Sequence, residues 1–229
     1  MTVAAHHTGR SAETGINRIS RLGLVNEYLV PEDDGLTLID TGLAGTSRLI
    51  LARARTLGMP IRRIALTHAH RDHQGSLDAL AAALPGVQVI VSEREAPLLA
   101  VDTAPSLLVS DDDAVRSLRV VASQGHTPGH IAFFDTRDGT LYAGDAFTTT
   151  LGVATSAVVP WRYPMAGMAT WNRDLDLASA RLLAGLDPAR LASGHGPVVE
   201  APGRAMTRAI AAAARKLERS PNPAASPRW

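Results

Sequence analysis

Between residues 36 and 84 the polar and apolar positions repeat one order: a short apolar run, a polar cluster, then a stretch of helical period. Residues 22–30 and 36–40 read as strands, and Glu32-Asp33-Asp34-Gly35 between them supplies the turn of a hairpin. Thr46 or Ser47 caps a helix that runs to about residue 57 and stops at Gly58-Met59-Pro60. A buried strand follows at 61–67, then a helix at 75–84 with Leu77, Leu80, Ala81 and Leu84 on one face. Residues 87–91 form a continuous apolar run and hence a buried strand, and Ser92-Glu93-Arg94-Glu95 fits a capping box opening a short helix.

The stretch 102–113 is acidic and irregular and receives no assignment. Residues 118–122 read as a strand, and 131–134 with 140–143 as a hairpin across Thr136-Arg137-Asp138-Gly139. No periodicity marks 146–169. An amphipathic helix is expected over 171–186, with Trp171, Leu175, Ala178, Leu182 and Leu186 on its apolar stripe. A short strand at 190–192 and a helix at 204–219 complete a single domain over 1–219. The Pro/Ser/Ala-rich stretch 220–229 reads as a disordered tail.

Composition narrows the function classes. Apolar residues make up 45% and charged residues 20% of 229 positions, as in ordinary globular chains. A net charge of +1 offers no broad field for nucleic acid or an anionic membrane, and a homodimer is left open. There is no cysteine, which removes disulfides, thiolate ligands and cysteine nucleophiles together. No long apolar run opens the chain, so neither a signal peptide nor a membrane span is expected and the cytoplasm is the default location. His6-His7 reads as an exposed pair rather than as ligands.

Candidate chemistry concentrates in Thr67-His68-Ala69-His70-Arg71-Asp72-His73-Gln74-Gly75. In extended backbone His68, His70 and Asp72 face one way, and a turn at Asp72-His73 brings His73 to the same cavity. Imidazoles with a carboxylate suit zinc or iron; calcium and magnesium want oxygen. The plain alternative is a solvated histidine-rich loop, but this one follows a buried strand and precedes an apolar helix, where binding residues sit. Polar clusters recur at strand ends: Asp40, the 68–73 run, His126, Asp145 and His195.

As a set, the motifs at 67–73, Gly125-His126-Thr127-Pro128-Gly129-His130, Gly144-Asp145 and Gly194-His195-Gly196 resemble the metallo-β-lactamase superfamily, in that family's order. The resemblance implies an α/β (α+β) architecture, the αββα four-layer sandwich of two mixed sheets with outer helices. It implies two divalent metal ions, zinc first, with iron or manganese as alternatives. By the same resemblance His68, His70 and His126 hold the first ion; Asp72, His73 and His195 hold the second; Asp145 bridges. Asp40 and His130 fall behind the ligands, Asp40 bracing the histidine loop. A hydroxide between the metals is the implied nucleophile, and Asp72 the catalytic proton carrier.

Departures from individual branches narrow the substrate. β-Lactamases with a cysteine ligand are excluded by the absence of Cys, and Asp145 argues against those with all-histidine sites. Flavo-diiron and RNA-processing members carry features absent here. The remaining likeness is nearest the glyoxalase II and N-acyl homoserine lactonase-like branches, although only 34 residues follow His195, short for a glutathione-binding extension. The expected activity is dinuclear zinc hydrolysis of an ester, lactone or thioester of a small, partly apolar molecule. The alternatives are a mononuclear iron persulfide dioxygenase or a β-lactam-hydrolysing side activity. Phe147, Trp161, Tyr163, Met165 and Met168 are candidate walls of an apolar substrate pocket. The same residues could equally pack onto the helix that begins near Trp171.

Overall fold

The computed structural model describes residues 16–21, 23, 25–158 and 170–219. His6, His7, Trp161, Tyr163, Met165, Met168 and the 220–229 tail lie outside the described residues. Two six-stranded sheets dominate. The first has the order β1–β6: β1 (Asn17–Arg21), β2 (Val25–Glu32), β3 (Gly35–Ile39), β4 (Ile61–Ala65), β5 (Gln88–Ser92) and β6 (Leu107–Val109). β1 to β3 pair antiparallel, and β3 to β6 run parallel. In the second sheet the order is β14-β13-β10-β9-β8-β7. Its strands are β7 (Ala114–Val115), β8 (Leu118–Ala122), β9 (Ile131–Asp135), β10 (Thr140–Gly144), β13 (Arg190–Ser193) and β14 (Val199–Glu200). β10 and β13 are its parallel pair. A two-stranded hairpin, β11 (Phe147–Thr148) with β12 (Ala154–Thr155), stands apart.

Strand alternation explains the layers. On β2, Tyr28 and Val30 face the second sheet while Leu29 faces outward. On β5, Ile90 points inward between Val89 and Val91, which point out. On β9, Phe133 and Ile131 meet the inter-sheet core while Ala132 turns the other way. Both faces of each sheet are thus buried, which is why these strands read as nearly unbroken apolar runs. The outer face of the first sheet is covered by α1 (Ser47–Leu57) and α3 (Leu77–Ala83) through Ile50, Ala54, Leu77 and Leu80. The outer face of the second is covered by α4 (Arg173–Ala184) and α5 (Gly203–Arg219) through Ala180, Leu183 and Met206. The result is the four-layer αββα sandwich.

Two local expectations are corrected. Thr46 is the N-cap of α1, but its hydroxyl makes no capping bond; its backbone N–H donates to Ser76 Oγ instead. In α4 the buried face is Asp176, Leu177, Ala180 and Leu183, whereas Leu175 and Leu182 are 40% and 52% exposed. The stripe expected from the sequence is therefore the outer one. The sequence offers leucines on two overlapping stripes, and packing against α5 and Ala157 selects the one that carries an aspartate.

Candidate metal centre

β3, β4 and β5 are parallel, as are β10 and β13, so the polar segments after them emerge at sheet rims formed by strand carboxyl ends, the usual place for a site in such sheets. Asp40 follows β3, and the 66–70 segment follows β4. The chain then does not stay extended. His73 and Gln74 donate their N–H groups to His70 O at 2.9 and 3.0 Å, closing the one-turn helix α2 (Arg71–Gln74). Asp72 thus reaches the site from a helical turn, a different route from the alternating strand expected, while His73 comes round on a turn as expected. His126 lies on the loop between β8 and β9; Asp145 and His195 follow β10 and β13.

All seven side chains converge. His68, His70 and His126 form one group of facing ligand atoms; Asp72, His73 and His195 form another; His68, His73 and Asp145 form a third. His70 Nδ1 faces His68 Nε2 at 3.1 Å and His126 Nε2 at 3.0 Å. Asp145 reaches across, with Oδ2 3.1 Å from His195 Nε2 and 3.5 Å from His126 Nε2, and Oδ1 3.4 Å from His73 Nε2. Gly194 is required beside it: a Cβ there would lie 2.5 Å from Asp145 Oδ1.

The hydrogen bonds behind these atoms fix the tautomers. Thr67 Oγ1 donates to Asp40 Oδ2, so toward His68 it can only accept; His68 carries its proton on Nδ1 and leaves Nε2 as a lone pair. Thr170 Oγ1 donates to the Ser156 carbonyl and likewise accepts from His126 Nδ1, freeing His126 Nε2. His73 Nδ1 donates to Asp40 Oδ2 at 2.9 Å. Such partners on the far nitrogen are what orient metal-binding imidazoles.

Electrostatics agree. Burial holds His68 and His126 well below the usual imidazole range, so both are neutral bases. Burial would lower His73 too, but the Asp145 and Asp40 carboxylates outweigh it and raise it well above that range. Burial alone would raise Asp145; His195 and His73 hold it well below the carboxylate range. A proton on His73 therefore supplies positive charge that this pocket demands. His73 Nε2 and Asp145 Oδ1 are nevertheless buried with no hydrogen-bond partner among the described residues. Orphaned donor atoms facing one another, backed by fixed tautomers, fit divalent cations of the zinc or iron type.

Asp40 and His130, expected behind the ligands, lie behind the facing atoms. Asp40 sits at φ 57°, a left-handed conformation uncommon for a non-glycine residue, held by the Thr67 N–H and hydroxyl, each 2.8 Å from its carboxylate. His130 Nε2 accepts the Asp145 N–H at 3.1 Å, and its Nδ1 donates to Ser123 Oγ at 2.9 Å. Phe147 corrects the pocket expectation: it is 0% exposed and packed among Leu141, Ala180 and Leu183, a core residue rather than a cavity wall. Sequence reading missed Thr67 and Thr170 as tautomer-setting partners, and missed Glu95. Only the polar residue directly before His68 carried a hint.

Comparison with known proteins places this geometry. Residues 20–195 match the family model of the metallo-beta-lactamase superfamily. The chain is 41% identical over 207 residues to the uncharacterized protein YobT of Bacillus subtilis, covering 81% of this chain and 89% of that one. It is 26% identical over 237 residues to the probable metallo-hydrolase YflN of the same organism, with 86% and 89% covered. A hydroxyacylglutathione hydrolase of Stenotrophomonas maltophilia is 34% identical over 122 residues, but the match spans 52% of this chain and 44% of that enzyme. Among solved structures, TTHA1623 in a di-iron-bound form superposes with a TM-score of 0.62 at 28% identity, covering 79% of this chain and 92% of that one.

Proposed function

Because the chain belongs to the metallo-β-lactamase superfamily and is one of its metal-dependent hydrolases, we propose that it is a dinuclear zinc enzyme cleaving an ester, lactone or thioester of a small, partly apolar molecule. The observation that carries this is the second ligand group. Asp72, His73 and His195 stand beside the three-histidine group, and Asp145 has an oxygen facing each. His68, His70 and His126 would hold one ion, Asp72, His73 and His195 the other, with Asp145 shared. Divalent cations there supply Lewis acidity toward the scissile carbonyl and lower the pKa of water to about 7.

The chain's own residues do the rest. Asp145 is buried, bonded to His195 and turned toward both groups, so it cannot follow a proton to a leaving group. Asp72 is different: its side chain is 35% exposed, with Oδ2 3.5 Å from His195 Nε2 and 3.8 Å from His73 Nε2. From there it takes the proton of the attacking water and delivers it to the departing oxygen or sulfur. With no cysteine in the chain, water is the nucleophile this site favours. The thioester arm of the proposal is supported by the hydroxyacylglutathione hydrolase relative and limited by its partial overlap.

Iron is the competing occupant, since the di-iron-bound relative shares the fold at 28% identity. Metal analysis of protein purified without added metal, paired with assays on lactones, aryl esters and thioesters, separates the readings. About two zinc ions per chain with hydrolysis supports the proposal, and Asp72→Ala should then cost at least about 100-fold in kcat, the lower end for a lost general acid–base group. About one iron per chain without hydrolysis would replace it with the persulfide dioxygenase.

A further inference from the structure

Glu95 is 0% exposed and lies just beyond β5, at the same rim as the ligands. Its sequence context fits a capping box, and half of one forms: the Glu95 N–H donates to Ser92 Oγ at 3.3 Å. The carboxylate turns the other way. Oε2 accepts the Ala69 N–H at 2.8 Å, and Oε1 accepts the Gly129 N–H at 2.8 Å together with the Thr127 hydroxyl. Ala69 separates His68 from His70, and Thr127 follows His126. One carboxylate therefore ties together the two loops that carry the three-histidine group.

The loops have no slack around it. Ser92 Oγ donates to the Gly129 carbonyl at 2.5 Å. A Cβ on Gly129 would lie 2.6 Å from Arg94 Cβ and 2.7 Å from Glu95 N. Burial pushes the Glu95 carboxyl up while these donors pull it down, and both backbone partners, donors only, each find one of its oxygens. We propose that Glu95 is a positioning residue that fixes the separation of His68 and His70 from His126 and thereby sets the affinity of that group for its metal ion. This rests on the metallohydrolase reading above, but concerns a residue that touches no ligand atom.

The test is metal affinity, not turnover. Glu95→Gln keeps size and shape but places an NH2 group against one of the N–H donors, so one tether becomes a donor facing a donor. Metal-free wild type, Glu95→Gln and Thr127→Val are titrated with cobalt(II) and with zinc against a chelator, and their melting temperatures are recorded without metal. The expected result is a first-ion affinity about 10- to 100-fold weaker in Glu95→Gln, the usual cost of losing an outer partner. Thr127→Val, which removes one of the three hydrogen bonds, should show a smaller loss in the same direction. If Glu95→Gln fails to fold, Thr127→Val decides. Wild-type affinity in the folded variants, whatever their melting temperatures, would overturn the proposal and make Glu95 a structural residue. A wild-type chain that takes up no metal would instead overturn the metallohydrolase reading, and this inference with it.

Discussion

Glu27 shows how much a single buried group can shape this site's behaviour. It is 0% exposed on β2, and neither carboxylate oxygen has a partner among the described residues. It fits because Gly42 has no side chain: a Cβ there would lie 1.8 Å from Oε1. Burial, reinforced by Asp40, pushes its carboxyl up to about 8 from an ordinary 4.5. In metal-free protein at neutral pH the folded state keeps a proton that the unfolded state has lost. Stability from this residue is therefore full below about pH 4.5 and declines as pH rises toward 8. Glu27→Gln is neutral throughout, so its advantage over wild type should grow between pH 5 and pH 8 by about 3–4 kcal/mol, the order implied by a carboxyl raised from 4.5 to about 8. Urea unfolding of the two metal-free proteins at both pH values checks this; an unchanged difference would mean that Glu27 finds a partner in solution.

At the scale of elements, α4 is the clearest case of a pattern with two readings. Its sequence carries Leu175 and Leu182 on one stripe and Leu177 and Leu183 on the next. Periodicity favours the first because the second includes Asp176, yet Asp176 is buried against Gly125, where a Cβ would lie 2.1 Å from the Asp176 backbone nitrogen. Leu183→Ala should accordingly cost about 2–5 kcal/mol, whereas Leu182→Ala should stay within about 0.5 kcal/mol. Denaturant midpoints would show this, and equal losses would mean that the outer stripe is covered in solution. The long strands and the helices α1, α3 and α5 were legible because apolar period and breakers such as Gly58-Met59-Pro60 are local signals. The short strands β6, β7, β11, β12 and β14 were not, since two or three residues hold no period, and neither was β1, whose run Asn17–Arg21 is mostly polar. The histidine motifs were legible for the same local reason, but Asp72 leaving the strand for a helical turn was not. Glu95 was also hidden, since its partners Ala69, Thr127 and Gly129 are 26, 32 and 34 residues away.

Across the whole molecule the candidate ligands divide between the sheets. His68, His70, Asp72 and His73 follow β4 of the first; His126, Asp145 and His195 belong to the second. Cations held by both would act as cross-braces, alongside the direct ties from Asn26 Nδ2 and Tyr28 OH to the Ser193 carbonyl at 2.9 and 2.6 Å. Free metal at about a thousand times its dissociation constant adds about 4 kcal/mol to the folded state. For a domain of this size that corresponds to about 8–16 °C in melting temperature. Chelator-treated and zinc-reloaded protein should differ by that order in a thermal melt; coincident melts would argue against tight binding by the folded chain.

The same division has a temporal side. The first sheet closes at Val109 and the second opens at Ala114, so each half is an uninterrupted piece of chain joined by four residues. Each half can assemble from near neighbours in sequence, and only their docking brings the two portions of the ligand set together. An ion that needs both portions has little to grip before that moment. It would then act as a latch rather than a seed, slowing escape from the native state while leaving the speed of reaching it almost untouched.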